Sequence, residues 1–379
     1  MDIDQADALL GGLSRAQFMR SHWQKKPLLV RQAVPSAEPL LSRSELFALA
    51  ARQDVECRLI RQTPAGWRLR QGPIARTALP ALKQAGWTLL VQGLDLHLPA
   101  AHRLMSRFRF IPDARLDDVM VSYASDGGGV GPHVDSYDVF LLQIHGRRRW
   151  RIGRVDKPAL IPGVPLKILS NFVAEQDYVL EAGDMLYLPP GWGHDGVAEG
   201  ETMTCSIGFR APSRDEFARE VLQRSLDASA EEADQSTTSP PLYQDRGQAA
   251  TTTPAKIPEA MQAFASQAVA RLVGDSRALA CSLGEWLSEP KPQVWFDERE
   301  PIDSHCGVAL DIRTRMMWDQ WHVFINGESF RAAGRDATLM RRLADQRLLS
   351  AADRSRLGLQ ASQLLDEWAR AGWLSAWPD

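Results

Sequence analysis

His133 and Asp135 flank a single valine, and another histidine, His194, follows 61 residues after the first in Pro190-Gly191-Trp192-Gly193-His194. This spacing constrains the fold more than any other feature of the chain. Residues i and i+2 share a face on a β-strand, so the H-x-D pair asks for a strand rather than a helix. The distant imidazole has to arrive from another strand end. Two imidazoles and one carboxylate can occupy one face of a ferrous ion and leave its other positions open. Bringing the three together predicts a closed sheet with these side chains facing its interior.

The surrounding sequence supports that architecture. From about 118 to 210 short apolar runs alternate with Gly and Pro: 119–123, 138–143, 149–152, 185–188 and 203–209. Many short strands divided by turn signals predict a barrel of the jelly-roll type. Alone, an H-x-D tripeptide reads better as a buried histidine with a hydrogen-bonded aspartate. The pattern G-D-x-L-Y-L-P-P-G-x-x-H over 183–194 favours the metal reading. Its proline pair sets where the strand ends, and an imidazole just beyond can swing back toward an ion. The run Gly127-Gly128-Gly129-Val130-Gly131-Pro132 lacks a following Gly-Lys-Ser/Thr, so it reads as a permissive turn and not a phosphate loop.

Arg148 lies 15 residues after His133, on a strand expected to follow the metal strand through a glycine turn. Alternation sends it to one face and Arg147 and Arg149 to the other. An arginine inside a barrel is costly unless it meets an anion, and a dicarboxylate cosubstrate would supply one. The competing reading, a surface basic cluster, is preferred for Arg147, Arg149 and Arg151.

Composition excludes several classes. With 379 residues the chain has room for two or three domains, and 44% hydrophobic with 24% charged residues is ordinary for a globular protein. A net charge of −3 gives no reason to expect a general polyanion binder. Cys57, Cys205, Cys281 and Cys306 are far apart and form no C-x-x-C pair, which argues against a disulfide framework or zinc knuckle. The opening MDIDQADALLGGLSRAQ does not read as a signal peptide, and no apolar run approaches the ~20 residues of a membrane-spanning helix. The expected location is cytoplasmic, with no membrane partner.

The division into domains is expected at 1–212 for the barrel, 213–280 for a helical linker or dimerisation segment, and 281–379 for a C-terminal unit. Ser14 and Ser42 should cap helices, the second with Glu45 at capping-box spacing. Arg214 to Leu226 and Ile257 to Leu272 show helical apolar spacing around a polar stretch, 228–256, read as a linker. Such a helix pair either dimerises or bridges domains, or it packs back on the barrel. In the last unit Asn326-Gly327 signals a β-hairpin, and helices are expected over Leu339–Leu349 and Ala361–Trp368, the latter ending at Gly372. Helices with a β-hairpin wing suggest a winged helix. Lys and Arg do not outnumber Asp and Glu there, so a structural or protein-contacting wing is preferred to direct nucleic-acid binding. The tryptophans Trp286, Trp295, Trp318, Trp321, Trp368, Trp373 and Trp377 are expected to build a small core. His22, His97, His102, His145, His305 and His322 have no partner spacing.

These motifs resemble the cupin-like JmjC oxygenases that use Fe(II) and 2-oxoglutarate. More narrowly, GGGVGPHVDSYDVF over 127–140 and GRRRWR over 146–151 look like the bacterial ribosomal oxygenases, with the match dense from about 114 to 209. The resemblance implies an α+β chain: a double-stranded β-helix (jelly-roll, cupin/JmjC) barrel, a helical dimerisation segment, then a winged-helix-like domain. It implies that His133, Asp135 and His194 are iron ligands and that Arg148 grips the distal carboxylate of 2-oxoglutarate. That position is more often lysine in the eukaryotic relatives, so arginine points to the bacterial branch. It further implies a homodimer, molecular oxygen as cosubstrate, and hydroxylation at the β-carbon of an arginine in large-subunit ribosomal protein sixteen. An arginine substrate needs acceptors, for which Asp118, Tyr137 and Ser206 are the candidates, with Asp117 and Asp138 as weaker competitors. Each has a bland alternative: Asp118 can cap a turn and Tyr137 can simply pack. Alternatives at the level of function are hydroxylation or demethylation of another protein residue, or a non-catalytic metal-binding cupin scaffold.

Overall fold

The computed structural model describes residues 2–35, 40–235, 242–244, 255–331 and 333–377, in two compact units. The first comprises 1–211 with 292–295, and the second comprises 212–291 with 296–379. Most of the expected 228–256 linker falls outside the described residues.

The first unit opens with helix α1 (Arg15–Ser21), strand β1 (Leu28–Val30) and helix α2 (Arg43–Ala50). Both helices start on complete capping boxes, Ser14 with Gln17 and Ser42 with Glu45, so two otherwise orphaned backbone donors are satisfied at each start. Next come β2 (Cys57–Thr63), β3 (Gly66–Gln71), β4 (Trp87–Val91), α3 (Pro99–Ser106), β5 (Leu116–Ala124), β6 (His133–Val134), β7 (Val139–Arg154), β8 (Gln176–Leu180), β9 (Met185–Leu188) and β10 (Trp192–Phe209). The strands pair antiparallel in the order β1-β9-β7-β10-β5-β4-β2-β3, with β6 added on β10 and β8 on β7.

Two long strands make the barrel. The first part of β7 (139–142) pairs with β9, and its second part (148–152) pairs with β8. Likewise β10 pairs with β6 at its start (193–194) and with β5 at its end (202–209). Each long strand therefore meets different partners along its two halves, within one ten-stranded sheet. Two strands were expected where β7 runs unbroken, because Gly146 resembles a turn. It is instead a bulge with φ +66°, and a Cβ there would lie 2.1 Å from the Glu201 carbonyl oxygen. The bulge also switches the inward face from odd to even residues. Val139 and Leu141 face inward before it, and Trp150 and Ile152 after it.

A large core lies on the outer face of the β5–β10 sheet, where Val119, Val121 and Tyr123 meet Cys205, Ile207 and Phe209 beneath the N-terminal helices. The intervening residues, among them Ser122, Thr204 and Ser206, face the other way, into the barrel. Strict period-two alternation thus buries one face in hydrocarbon and leaves a polar lining on the other.

In the second unit α4 (Arg214–Gln235) continues nine residues beyond the expected end at Leu226, so the start of the expected linker is helical. Helices α5 (Glu259–Gly274) and α6 (Ser276–Ser288) follow, and α6 runs across the expected border at 280/281. Ser225 of α4 and Ser282 of α6 approach to 3.2 Å, and the Phe217 and Trp286 rings meet edge to face. The remaining elements are β11 (Gly307–Leu310), β12 (Met316–Trp318), β13 (His322–Ile325), β14 (Glu328–Arg331), α7 (Gly334–Gln346), β15 (Leu348–Leu349), α8 (Ala351–Arg354), α9 (Leu359–Arg370) and β16 (Leu374–Trp377). Asn326 (φ +49°) and Gly327 (φ +91°) turn β13 into β14, the expected hairpin. Helix α7 starts earlier than expected and stops at an αL Arg347, so the expected final residues form β15. Trp286 and Trp368 are buried, whereas Trp318 and Trp377 keep 43% of their surface and Trp295 keeps 65%, so the tryptophans do not act together as one core.

Candidate metal and dicarboxylate site

The register brings the two histidines together. His133 on β6 and His194 near the start of β10 are direct cross-strand partners, with ring centres 4.2 Å apart. Asp135 lies just beyond β6, and its Oδ2 is 3.6 Å from His194 Nε2. One ligand atom from each residue falls within a 4.8 Å cluster, the single such group among the described residues. Nδ1–H of His133 donates to the Gly131 carbonyl at 2.9 Å, and that of His194 donates to the Trp192 carbonyl at 3.1 Å. Both bonds select the tautomer whose Nε2 carries a free lone pair, as a metal ligand requires. Burial, followed by the nearby His133, holds the His194 imidazole down at about 4, so it is neutral and available for coordination. This donor set fits a divalent metal.

Arg148 projects into the barrel, 3% exposed. Its Nη1 donates to Ser122 Oγ (3.1 Å) and Thr204 Oγ1 (3.4 Å), and its Nη2 to the Gly196 carbonyl (3.1 Å). Its Nε has no acceptor. Among the described residues it makes no ion pair, and burial depresses its guanidinium to about 10 despite the charge of Asp195. A buried cation with neutral partners and a spare donor fits a carboxylate ligand. Arg147, Arg149 and Arg151 lie on the outer face, about half exposed, and pair with acidic residues there, in keeping with the surface reading.

The three substrate candidates are placed differently. Tyr137 hydrogen-bonds Asp135, and its phenol is pushed well above its ordinary range by desolvation and then by Asp135, Asp118 and Asp117. The ring is nonetheless 39% exposed, so it sits at the opening of the acidic group. Asp118 is half-buried; its Oδ2 accepts from the Gly93 backbone N–H at 3.3 Å, which realises part of its turn-capping alternative. Ser206 is buried on the inward face of β10, directly across from Met120 and Leu141. Asp138 belongs elsewhere: fully buried, it accepts from Tyr187 Oη (2.6 Å), Gln24 Nε2 (3.1 Å) and Arg115 Nη2 (3.3 Å), tying four segments of the fold together.

Sequence reasoning missed Ser122, Thr204 and Trp150. A signal was present: Ser122 and Thr204 stand at alternate positions between apolar core residues, which marks a polar inward face.

With this geometry established, comparison with known proteins is informative. Residues 103–217 match the model of the JmjC domain, and 271–375 match that of the ROXA-like winged helix. The chain thus has a JmjC-like segment followed by a winged-helix-like one. The chain is similar to the ribosomal protein uL16 3-hydroxylase of Escherichia coli, 41% identical over 56% of this chain and 58% of that protein. It is also similar to a probable ribosomal oxygenase of Haemophilus influenzae, 36% identical over 52% and 49%. The chain thus spans less than two thirds of the length of these curated relatives. The fold of a solved structure of E. coli YcfD matches over 96% of this chain and 98% of that one, with a TM-score of 0.83 and 28% identity. Another solved structure shows YcfD, described as a ribosomal oxygenase, in complex with cobalt and 2-oxoglutarate. The JmjC cupin barrel followed by a winged helix is the architecture expected from the sequence.

Proposed function

We propose that this protein is an Fe(II)- and 2-oxoglutarate-dependent hydroxylase of a large-subunit ribosomal protein, acting on the β-carbon of an arginine in uL16. The observation that carries this reading is a His-Asp-His cluster in the same barrel as a buried arginine that has no carboxylate partner among the described residues. The similarity to the uL16 3-hydroxylase supports the choice of substrate.

In this reading His133, Asp135 and His194 hold the iron, and Arg148 holds the distal carboxylate of 2-oxoglutarate. The iron and cosubstrate, with molecular oxygen, supply the oxidant that converts C–H to C–OH, giving succinate and carbon dioxide. The chain's own residues do the rest. The carbonyls of Gly131 and Trp192 orient the two imidazoles. Asp118 and Tyr137, with Ser206 deeper in, accept the substrate guanidinium, leaving the arginine's aliphatic carbons nearest the metal. The apolar lining of Val139, Leu141 and Leu188 limits water.

A homodimer accompanies this reading. Helix α5 buries none of its side chains, and Met261, Phe264, Val269 and Val273 remain 37–62% exposed, an apolar face that a second copy would cover. No described helix is long and apolar enough to cross a membrane, and a cytoplasmic location accompanies the proposed ribosomal substrate.

The test is incubation of the purified protein with uL16, Fe(II), 2-oxoglutarate and oxygen, followed by mass spectrometry. The expected result is a gain of one oxygen on an arginine, with stoichiometric succinate. Anaerobic protein with Fe(II) and 2-oxoglutarate should also show a metal-to-ligand charge-transfer band. Absence of both the band and succinate would reject the oxygenase reading.

A further inference from the structure

Arg148 and Trp150 stand two residues apart on the inward face of β7, and the guanidinium carbon lies 4.9 Å from the indole centre, within cation–π range. The indole is also 5.8 Å from the His194 ring, so it neighbours both the cation and the metal cluster. Across the ladder, Gly196 is the direct partner of Trp150. A Cβ at 196 would come within 2.6 Å of Trp150 Cζ3 and 2.8 Å of Arg148 Nε. Gly196 is not among the glycines with positive φ, so its backbone conformation does not demand glycine. The space taken by the stacked ring and guanidinium does.

We propose that Trp150, seated on Gly196, is a positioning residue that holds the Arg148 guanidinium in one orientation before the cosubstrate's distal carboxylate arrives. This rests on the assignment of 2-oxoglutarate to the barrel. An arginine stem has many rotamers, and fixing it in advance lowers the cost of binding. A carboxylate could fix it too, but would neutralise the charge and compete with the ligand. An aromatic face restrains the cation and leaves it free to pair. The three hydrogen bonds that Arg148 makes to neutral oxygens, against its five donors, have the same property.

The experiment uses the full chain loaded with Co(II), and measures calorimetrically the binding of 2-oxoglutarate and of 2-oxobutyrate, a keto acid lacking the distal carboxylate. Trp150→Leu is expected to weaken 2-oxoglutarate about tenfold, leaving 2-oxobutyrate and Co(II) within twofold of wild type. Trp150→Phe, which keeps an aromatic face, should recover most of the loss. Gly196→Ala, which wedges the stack apart, should reproduce it, and this variant decides the matter if Trp150→Leu does not fold. Unchanged 2-oxoglutarate affinity in the folded variants overturns the inference, as does an equal loss for both acids, which would mean general loosening. Wild-type protein that binds no 2-oxoglutarate overturns the assigned cosubstrate itself, and the inference with it.

Discussion

Each unit of this protein buries one arginine among its polar groups, and the two are treated in opposite ways. Arg354, 6% exposed, donates to the carbonyls of Asp303 (2.7 Å), Cys306 (3.0 Å) and Ile302 (3.3 Å), and pairs with Asp366 at 3.0 Å. Arg148 is more deeply buried, yet among the described residues it has hydroxyls and one carbonyl, an unmatched Nε and no carboxylate. Arg354 staples the segment at 302–306 to α8 and α9, and a staple is best when saturated. Arg148 is left incomplete. A buried charge held short of an anion costs stability in the free protein, and that cost is recovered when an anionic ligand binds.

The largest expected effect comes from removing the saturated arginine. Arg354→Leu strands three carbonyls and a carboxylate, and should destabilise the second unit by about 3 kcal/mol in denaturant unfolding, without changing 2-oxoglutarate affinity. A loss below about 1 kcal/mol would contradict the staple role. Arg148→Gln should do the reverse: cosubstrate affinity falls about 100-fold, or about 2.7 kcal/mol, with iron affinity nearly intact and the free protein no less stable than the wild type. Unchanged cosubstrate binding would erase the contrast. In the wild type, 2-oxoglutarate at 100 times its Kd should stabilise the first unit by about 2.7 kcal/mol, visible as slowed hydrogen exchange in β5, β7 and β10 but not in α7 or α9. Exchange slowed equally in both units would count against a ligand confined to the barrel.

The smallest effect concerns pH. Burial raises the Asp311 carboxyl, but hydrogen bonds from Arg313 and the charges of Arg313 and Arg299 outweigh it, so its net shift is downward. A carboxyl depressed in the folded state contributes stability that is present above its unfolded value, near 3.8, and lost as pH falls through the folded value. Asp311→Asn should therefore destabilise the second unit at neutral pH and flatten its acid limb below about pH 4. An acid limb unchanged by the substitution would reject this.

Much of the site was legible because it is written in short-range chemistry. His133 and Asp135 are two residues apart in sequence, and the proline corner at 189–190 announces where His194 emerges. The capping boxes at Ser14 and Ser42 and the Asn326-Gly327 hairpin are likewise local. What escaped was non-local. Gly146 reads as a turn unless the Glu201 carbonyl pressing against it is known. Helix α6 crosses an expected boundary because its buried face is defined by partners such as Ser225 and Phe324. The exposure of Trp318 and Trp377 shows that composition does not say which side of a small unit an aromatic ring will occupy.

By itself, then, the sequence determined the kinds of elements, the metal-ligand set and the inward direction of Arg148. The elements and Arg148 depend on residues within one strand or one turn, and the ligand set on two such short motifs, 133–135 and 183–194. Only the tertiary structure decided that His133 and His194 would pair across strands, that Arg148 would meet Ser122 and Thr204 instead of a carboxylate, and that Trp150 would lie over its guanidinium with Gly196 beneath. Those outcomes depend on the register of β7 against β10, which is set by two long bent strands closing on each other. No single stretch of the chain contains that information.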